Sequence, residues 1–183
     1  MMGYIKDKDL DGCVLLPIIH DGKRMSLDDV ISTLNTQQME ISRFRKDCLL
    51  EVYVDGSCNH EKGYGAWAIV SGTFQDTGLI KADNIGYVEL YALYKALDYL
   101  KDYPGRIVVY TDSQYVYSNV NWKAKEYESL GWKSRSWRKR IPNKELLQKI
   151  MLLMSSDVAV EKINRKCNGC ADRLAKKTMK KMV

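Results

Sequence analysis

The segment RIVVYTD, at residues 106–112, limits the possible folds more than any other part of this chain. Its apolar residues follow one another without polar alternation, a pattern typical of a central strand with both faces covered. Helical patterns lie on either side of it in the sequence, at 88–103 and 113–122. A buried strand flanked by helices predicts an α/β fold.

The remaining elements indicate how the sheet is built. Three strands with short Gly-containing turns between them come first and predict an antiparallel meander. The other predicted elements are the strands Leu49–Asp55, Tyr64–Val70, about Thr73–Ala82 and 157–164, and the helices 143–154 and 168–182. This order predicts a five-stranded mixed sheet, with three antiparallel strands plus parallel strands, flanked by helices. The domain that they form is predicted to span residues 49–183.

Residues 1–48 are predicted to form an N-terminal extension. A helix at 26–46 within it carries Leu27, Leu34 and Ile41 at seven-residue spacing, which fits a short coiled coil and also fits a helix packed on its own domain. The extension holds seven Lys or Arg against eight Asp or Glu. We expect an interaction helix, through which the chain binds a protein partner or associates with itself.

Positive charge is concentrated in the segment 122–144. It carries eight Lys or Arg against two Glu, while the whole chain has a net charge of +6. A basic segment by itself is most often a solvated surface loop. Three tryptophans among the cations, Trp122, Trp132 and Trp137, favour contact with a polyanion that has stackable or apolar faces. We therefore expect this segment to contact nucleic acid.

The composition argues against a membrane or secreted protein. No apolar run approaches the roughly 18 residues of a membrane span, and the polar N-terminus MMGYIKDKDLDG does not resemble a signal peptide. Without a secretory signal, the five cysteines are expected to be reduced thiols. We expect a cytoplasmic protein with no membrane partner.

Four acids stand where a packed fold favours other residues. Asp55 and Asp112 end two predicted strands, and open α/β sheets bind ligands beyond the carboxyl ends of their strands. Glu89 lies one turn before Leu93 on the apolar face of its helix, and Asp172 lies in the first turn of the last helix. Each acid alone has an ordinary structural explanation, as a turn residue, a neighbour of a helix cap or a helix-start charge.

Gathered at one edge of the sheet, the four acids would repel one another unless a cation lay among them. Carboxylate oxygens favour Mg²⁺ or Mn²⁺ over Zn²⁺. Two such ions about 4 Å apart can promote the attack of water on a phosphodiester. The acids therefore predict two Mg²⁺ ions, for which Mn²⁺ is a substitute, and hydrolysis of a phosphodiester.

Four short motifs resemble those of a known family. YVDGSC, VELYALYKAL, YTDSQYV and NGCADRLAKK occur in the order and at a spacing compatible with the motifs of type 1 ribonuclease H. One such motif is weak evidence, whereas four in sequence are specific. The resemblance runs from about Leu49 to the C-terminus, roughly three quarters of the chain, and it implies the ribonuclease H-like fold.

The resemblance implies an endonuclease that cuts the RNA strand of RNA–DNA hybrids with two Mg²⁺ ions. Asp55, Glu89, Asp112 and Asp172 occupy the metal-ligand positions of the family and are the candidate catalytic residues. The segment 122–144 is similar to the basic protrusion with which many members hold the DNA strand. The residues implied to contact the substrate are Asn59, Gln114, Trp132, Lys133, Arg138, Arg140, Asn143 and Arg165.

The chain departs from the family pattern at three places. Many members carry a catalytic His on a loop before the last acid; Lys162 stands there in this chain, which resembles the subtype without that His. Arg165 is the candidate for assisting proton or product movement in its place. The polar residues that often stand three and four positions before the Glu are replaced by Gly86 and Ile85. The loop after Asp55 is shorter and less rich in Gly than usual.

Two alternatives to an active nuclease are open. One is a catalytically inactive ribonuclease H-like domain that acts as a nucleic-acid-binding or scaffold module, although all four acids are retained. The other is a ribonuclease H module of a reverse transcriptase or transposition enzyme, which would require the chain to be a fragment. Cys167 and Cys170 have the spacing of half a zinc site, but a structural zinc site needs four ligands.

Overall fold

The computed structural model describes residues 49–72, 74–134 and 140–181. Its five strands lie in one sheet in the order β3-β2-β1-β4-β5. The strands are β1 Leu49–Asn59, β2 Tyr64–Ser71, β3 Gln75–Lys81, β4 Arg106–Thr111 and β5 Val158–Lys162. Pairing is antiparallel from β1 to β3, whereas β4 runs parallel to both β1 and β5. The predicted mixed sheet is confirmed, while the predicted helix 26–46 lies outside the described residues.

The helices follow the strands in the predicted order. They are α1 Ile85–Tyr99, α2 Gln114–Ser118, a π-helical segment Asn119–Lys123, α3 Ala124–Ser129, α4 Lys144–Leu153, a 3₁₀ turn Arg165–Asn168 and α5 Gly169–Lys180. α1 begins three residues before the predicted start because Asn84 caps it, its side chain accepting a hydrogen bond from the Tyr87 amide. Among the described helices, none is long and apolar enough to cross a bilayer.

The two faces of the sheet are covered by different helices. α1 lies so close to β1 that a Cβ on Gly56 would come within 2.9 Å of the Glu89 amide nitrogen. Val52 and Val54 share that face and are buried in the core. Because side chains alternate along a strand, Asp55 points to the opposite face. There α5 packs against β1, β2 and β3.

The prediction that β4 is buried on both faces is only half right. Ile107 and Val109 are 4% and 0% exposed, but Val108 and Tyr110 on the other face are only partly covered. The physical reason is that α5 packs over β1, β2 and β3. The segment Ala66–Ile69 of β2 is instead buried at every residue, because α1 and α5 both pack against β2.

The first part of the basic segment 122–144 is helical, because the helix that begins at Gln114 continues through the π segment to Ser129. The hydroxyl of Ser118 donates to the Gln114 carbonyl, and the Asn119 amide donates to the Tyr115 carbonyl. Side chains that compete in this way for the backbone acceptors of the preceding turn disturb an α-helix. The side chain of Asn121 then anchors the π segment to the Val160 carbonyl of β5 at 3.0 Å.

Candidate active site

The structure places Asp55 and Asp112 at the carboxyl edge of the parallel part of the sheet. β1 and β4 pair as far as Tyr53 and Tyr110, and each acid lies two residues beyond that last pair. The prediction that Asp55 ends its strand is wrong, because β1 continues along β2 to Asn59. Asp55 lies just beyond the end of the parallel pairing with β4, where its backbone is still paired with Ala68 of β2.

Glu89 and Asp172 reach the same edge from two helices. Glu89 is the fifth residue of α1, and Asp172 is the fourth residue of α5. The Ser113 hydroxyl donates to Glu89 Oε2 and also accepts from the Val116 amide. Ser113 therefore caps α2, and it also links α1 to the loop that carries Asp112.

Asp55 is the most buried of the four acids, at 7% exposure. Its burial, reinforced by the negative charges of Asp112, Asp172 and Glu89, raises its pKa from 3.8 to about 7. A hydrogen bond of 2.8 Å from the Gly56 amide to Oδ1 opposes that rise. Asp55 is thus near enough to the other three acids to be affected by their charges.

Glu89, Asp112 and Asp172, the outer acids, differ from Asp55 because polar or charged side chains pair with them. Burial also raises the pKa of Glu89, although the Ser113 hydroxyl and the Arg165 charge act against it. The pKa of Asp172 is lowered, chiefly by Lys176 at 2.8 Å and then by Arg165 at 3.2 Å. The Arg165 guanidinium also lies 4.0 Å from Asp112 Oδ2.

Asn168 belongs to this site although sequence reasoning did not single it out. It is completely buried, and its Nδ2 donates to the Val54 carbonyl at 3.0 Å and to Asp112 Oδ1 at 3.1 Å. One signal in the sequence points to it: Asn168 stands four residues before Asp172, a spacing that places both on one side of a helical segment.

The donor chemistry of the site fits a hard divalent cation, because all four acids offer carboxylate oxygens. As they stand, no three His, Cys, Asp or Glu of the described segments form a group that could hold a metal ion. Arg165 and Lys176 pair with the outer acids instead. Cys167 and Cys170 are free and exposed, and no zinc group forms around them within those segments.

Besides Arg165, which pairs with Asp112 and Asp172, two more of the predicted substrate contacts lie near the acids. Gln114 is exposed at the start of α2, two residues after Asp112. Asn143 has a left-handed backbone with φ of 54°, and its Nδ2 donates to the Tyr115 hydroxyl at 2.9 Å. A groove of about 340 Å³ between α1 and α4 borders Asn143.

The other predicted contacts have structural neighbours or lie at the surface. Asn59 Oδ1 accepts from the Lys62 amide at 3.0 Å, so this side chain shapes the turn between β1 and β2. Trp132 packs against the core, and its amide donates to the Tyr127 carbonyl at 2.6 Å. Lys133 and Arg140 are exposed. Arg138 lies outside the described residues.

Comparison with known proteins identifies the family. The RNase H family model matches residues 47–180. The ribonuclease H of Francisella tularensis subsp. novicida is 34% identical over 116 residues, which cover 61% of this chain and 74% of that protein. The ribonuclease H of Ruthia magnifica is 30% identical over 112 residues, covering 56% and 72%.

Solved structures show the same fold at lower identity. The ribonuclease H domain of a foamy virus superposes with a TM-score of 0.61 at 20% identity, covering 70% of this chain and 93% of that one. Ribonuclease H1 from Halobacterium salinarum NRC-1 gives a TM-score of 0.53 at 20% identity, covering 73% and 99%. With a family model that matches most of its length, the chain belongs to the ribonuclease H family.

Proposed function

We propose that this chain cleaves the RNA strand of RNA–DNA hybrids with the help of two divalent metal ions, Mg²⁺ or, as a substitute, Mn²⁺. The observation that carries the proposal is the buried Asp55, surrounded by the negative charges of Glu89, Asp112 and Asp172. Acids that repel one another in this way are stable together when a cation binds them. Because the chain belongs to the ribonuclease H family, the activity that we propose for it is that of a nuclease.

Each acid has a part in this proposal. Asp55, Glu89, Asp112 and Asp172 would hold the ions, which supply positive charge at the phosphodiester and promote the attack of water. Asp55 lies on β1, which stays paired with β2 on both sides of this residue. This pairing fixes the backbone that carries its carboxylate.

Arg165 has a different role from a histidine. Its side chain is 72% exposed, so it can leave the acids and contact a phosphate of substrate or product. A guanidinium stays charged at neutral pH and cannot shuttle protons there.

Exposed polar and basic residues support a preference for a hybrid. In this proposal, exposed Gln114 contacts a minor groove that displays 2′-hydroxyls, while exposed Lys133 and Arg140 contact the phosphates of the other strand. A fold neighbour, the foamy-virus protease–reverse transcriptase, is known in complex with an RNA/DNA hybrid, with a TM-score of 0.62 and 20% identity over 94% of this chain and 23% of that one. That complex supports the choice of hybrid as substrate.

The test uses three labelled duplexes of one sequence: an RNA–DNA hybrid, double-stranded RNA and double-stranded DNA. We expect Mg²⁺-dependent cuts in the RNA strand of the hybrid only, and no cuts after chelation. Asp112→Asn is the matched variant, since it keeps the shape of the side chain and removes the charge. Cleavage of double-stranded DNA, or undiminished cleavage by Asp112→Asn, would contradict the proposal.

A second candidate is an inactive module that binds hybrids without cutting them. It is favoured by the pairing of Arg165 and Lys176 with Asp172, which satisfies that acid without a metal. The same assay separates the two candidates. An inactive module would shift the hybrid in a binding assay at every Mg²⁺ and Mn²⁺ concentration and leave the RNA strand intact.

A further inference from the structure

Asn168 joins three parts of the chain that carry the acids. It stands at the junction of the 3₁₀ turn and α5, the helix of Asp172. One of its amide hydrogens goes to the Val54 carbonyl, next to Asp55, and the other goes to Asp112 Oδ1. β1, the loop after β4 and α5 therefore meet at this one side chain.

The orientation of this amide is set by its partners. Both partner atoms are oxygens that only accept hydrogen bonds, so the NH₂ group must face them. Oδ1 of Asn168 is then left buried and without a hydrogen-bond partner among the described residues. Leaving a buried carbonyl unpaired opposes folding, so the two hydrogen bonds of the NH₂ group, one of them to Asp112, must offset that cost.

We propose that Asn168 is a positioning residue for the active site, holding the carboxylate of Asp112 toward β1 and Asp55. This inference rests on the proposed metal-dependent cleavage. Without the amide, Asp112 keeps the nearby Arg165 guanidinium, 4.0 Å from its other oxygen. The carboxylate is then free to turn toward Arg165 and away from Asp55.

We expect the loss of Asn168 to weaken metal binding and slow turnover, with little effect on the affinity for the hybrid. Removing a group that orients a metal ligand typically costs about 10–100-fold in metal affinity or activity. For Asn168→Ala we expect the dissociation constant for Mg²⁺ to rise and kcat to fall, each by about that factor. The Michaelis constant for the hybrid at saturating Mg²⁺ should change less than about threefold, because Asn168 is buried away from the surface.

Thr178→Val is the matched control. Thr178 is buried on the same helix, and its hydroxyl is 2.9 Å from that of Thr77 on β3, away from the acids. Its loss should lower the melting temperature without changing Mg²⁺ binding or kcat. Asn168→Ser is a milder variant that keeps one donor; it should fall between wild type and Asn168→Ala, and it tests the inference even where Asn168→Ala folds poorly.

The experiment is calorimetric titration of metal-free protein with Mg²⁺, alongside hybrid cleavage kinetics, for wild type and the three variants. A double-mutant comparison with Asp112→Asn asks whether Asn168 acts through Asp112: in that background, Asn168→Ala should weaken Mg²⁺ binding by less than twofold. If the Asn168 variants lose stability but bind Mg²⁺ and turn over like Thr178→Val, the inference is wrong. If wild type neither binds Mg²⁺ nor cleaves the hybrid, the proposed function itself fails.

Discussion

For single residues, burial and neighbouring charge determine how a carboxylate differs from others that have the same local hydrogen bond. Asp55 and Asp76 each accept a hydrogen bond of 2.8 Å from the next residue's amide. Asp76 is exposed on β3, whereas Asp55 is buried beside three other acids, which raises its pKa to about 7. The two aspartates therefore have the same kind of local hydrogen bond, and the raised pKa of Asp55 comes from its tertiary environment.

The raised pKa of Asp55 predicts a pH dependence of stability in chelator. Between about pH 4 and pH 7 the folded state keeps a proton that the unfolded chain has lost, so the free energy of unfolding should fall as the pH rises through that window. The slope is at most about 1.4 kcal/mol per pH unit. Asp55→Asn should flatten it and stabilise the metal-free protein at pH 7.5, as measured by denaturant unfolding at several pH values.

The control for this prediction is Asp76→Asn, which removes an exposed carboxylate with the same local hydrogen bond. It should keep the wild-type slope. A wild-type slope that persists in Asp55→Asn would mean that another group carries the proton.

At the element scale, the close contact of α1 with β1 depends on the absence of a side chain at Gly56. A Cβ there would meet the Glu89 amide nitrogen at 2.9 Å and the Val88 carbonyl carbon at 3.1 Å. Both are backbone atoms, so relief requires the helix to move. Because Glu89 is part of α1, its distance from Asp55 depends on how closely α1 packs against β1.

Gly56→Ala should therefore lower both stability and cleavage. Overpacking of this kind costs roughly 1–3 kcal/mol, and the displaced Glu89 should reduce kcat. Gly72→Ala is the control, since a Cβ at Gly72 meets nothing within 4 Å; it should be neutral or slightly stabilising. Denaturant unfolding and hybrid cleavage measure the two effects, and equal behaviour of both variants would show that α1 yields without cost.

We expect the basic segment 122–144 to bind the hybrid and to take no part in the chemistry. Lys133→Ala and Arg140→Ala should each raise the Michaelis constant for the hybrid and leave kcat nearly unchanged. Each lost phosphate contact should also reduce the slope of log affinity against log salt by roughly 0.7–0.9. Lys101→Ala is the control, because Lys101 is exposed after α1, near the start of β4 and therefore at the end of the sheet away from Asp112. A collapse of kcat with an unchanged salt slope would argue against a binding role.

At the scale of the whole molecule, folding gathers four acids from positions far apart in the chain. A cation that binds only the gathered acids must stabilise the fold, by about 2.7 kcal/mol when its concentration is 100 times its dissociation constant. Mg²⁺ should therefore raise the melting temperature of wild type and weaken the pH dependence described above. Asp112→Asn should reduce the gain, and the same Tm gain in that variant would place the ion elsewhere.

Much of this architecture was predictable from the sequence because the signals are local. Strand and helix patterns predicted the element order and the mixed sheet. Asp55 and Asp112 stood out at the ends of apolar strands, Glu89 on the apolar face of its helix and Asp172 in the first turn of the last helix. Periodicity and capping act over a few residues, so a single sequence is enough to detect them.

The tertiary structure alone decided what depends on contacts between distant residues. β1 continues past Asp55 because β2 offers it a partner, and one face of β4 is only partly covered because α5 packs over β1, β2 and β3. Asn168 reaches Val54 and Asp112, 114 and 56 residues away. No local pattern reports such separations, since which groups meet is set by how the helices pack on the sheet.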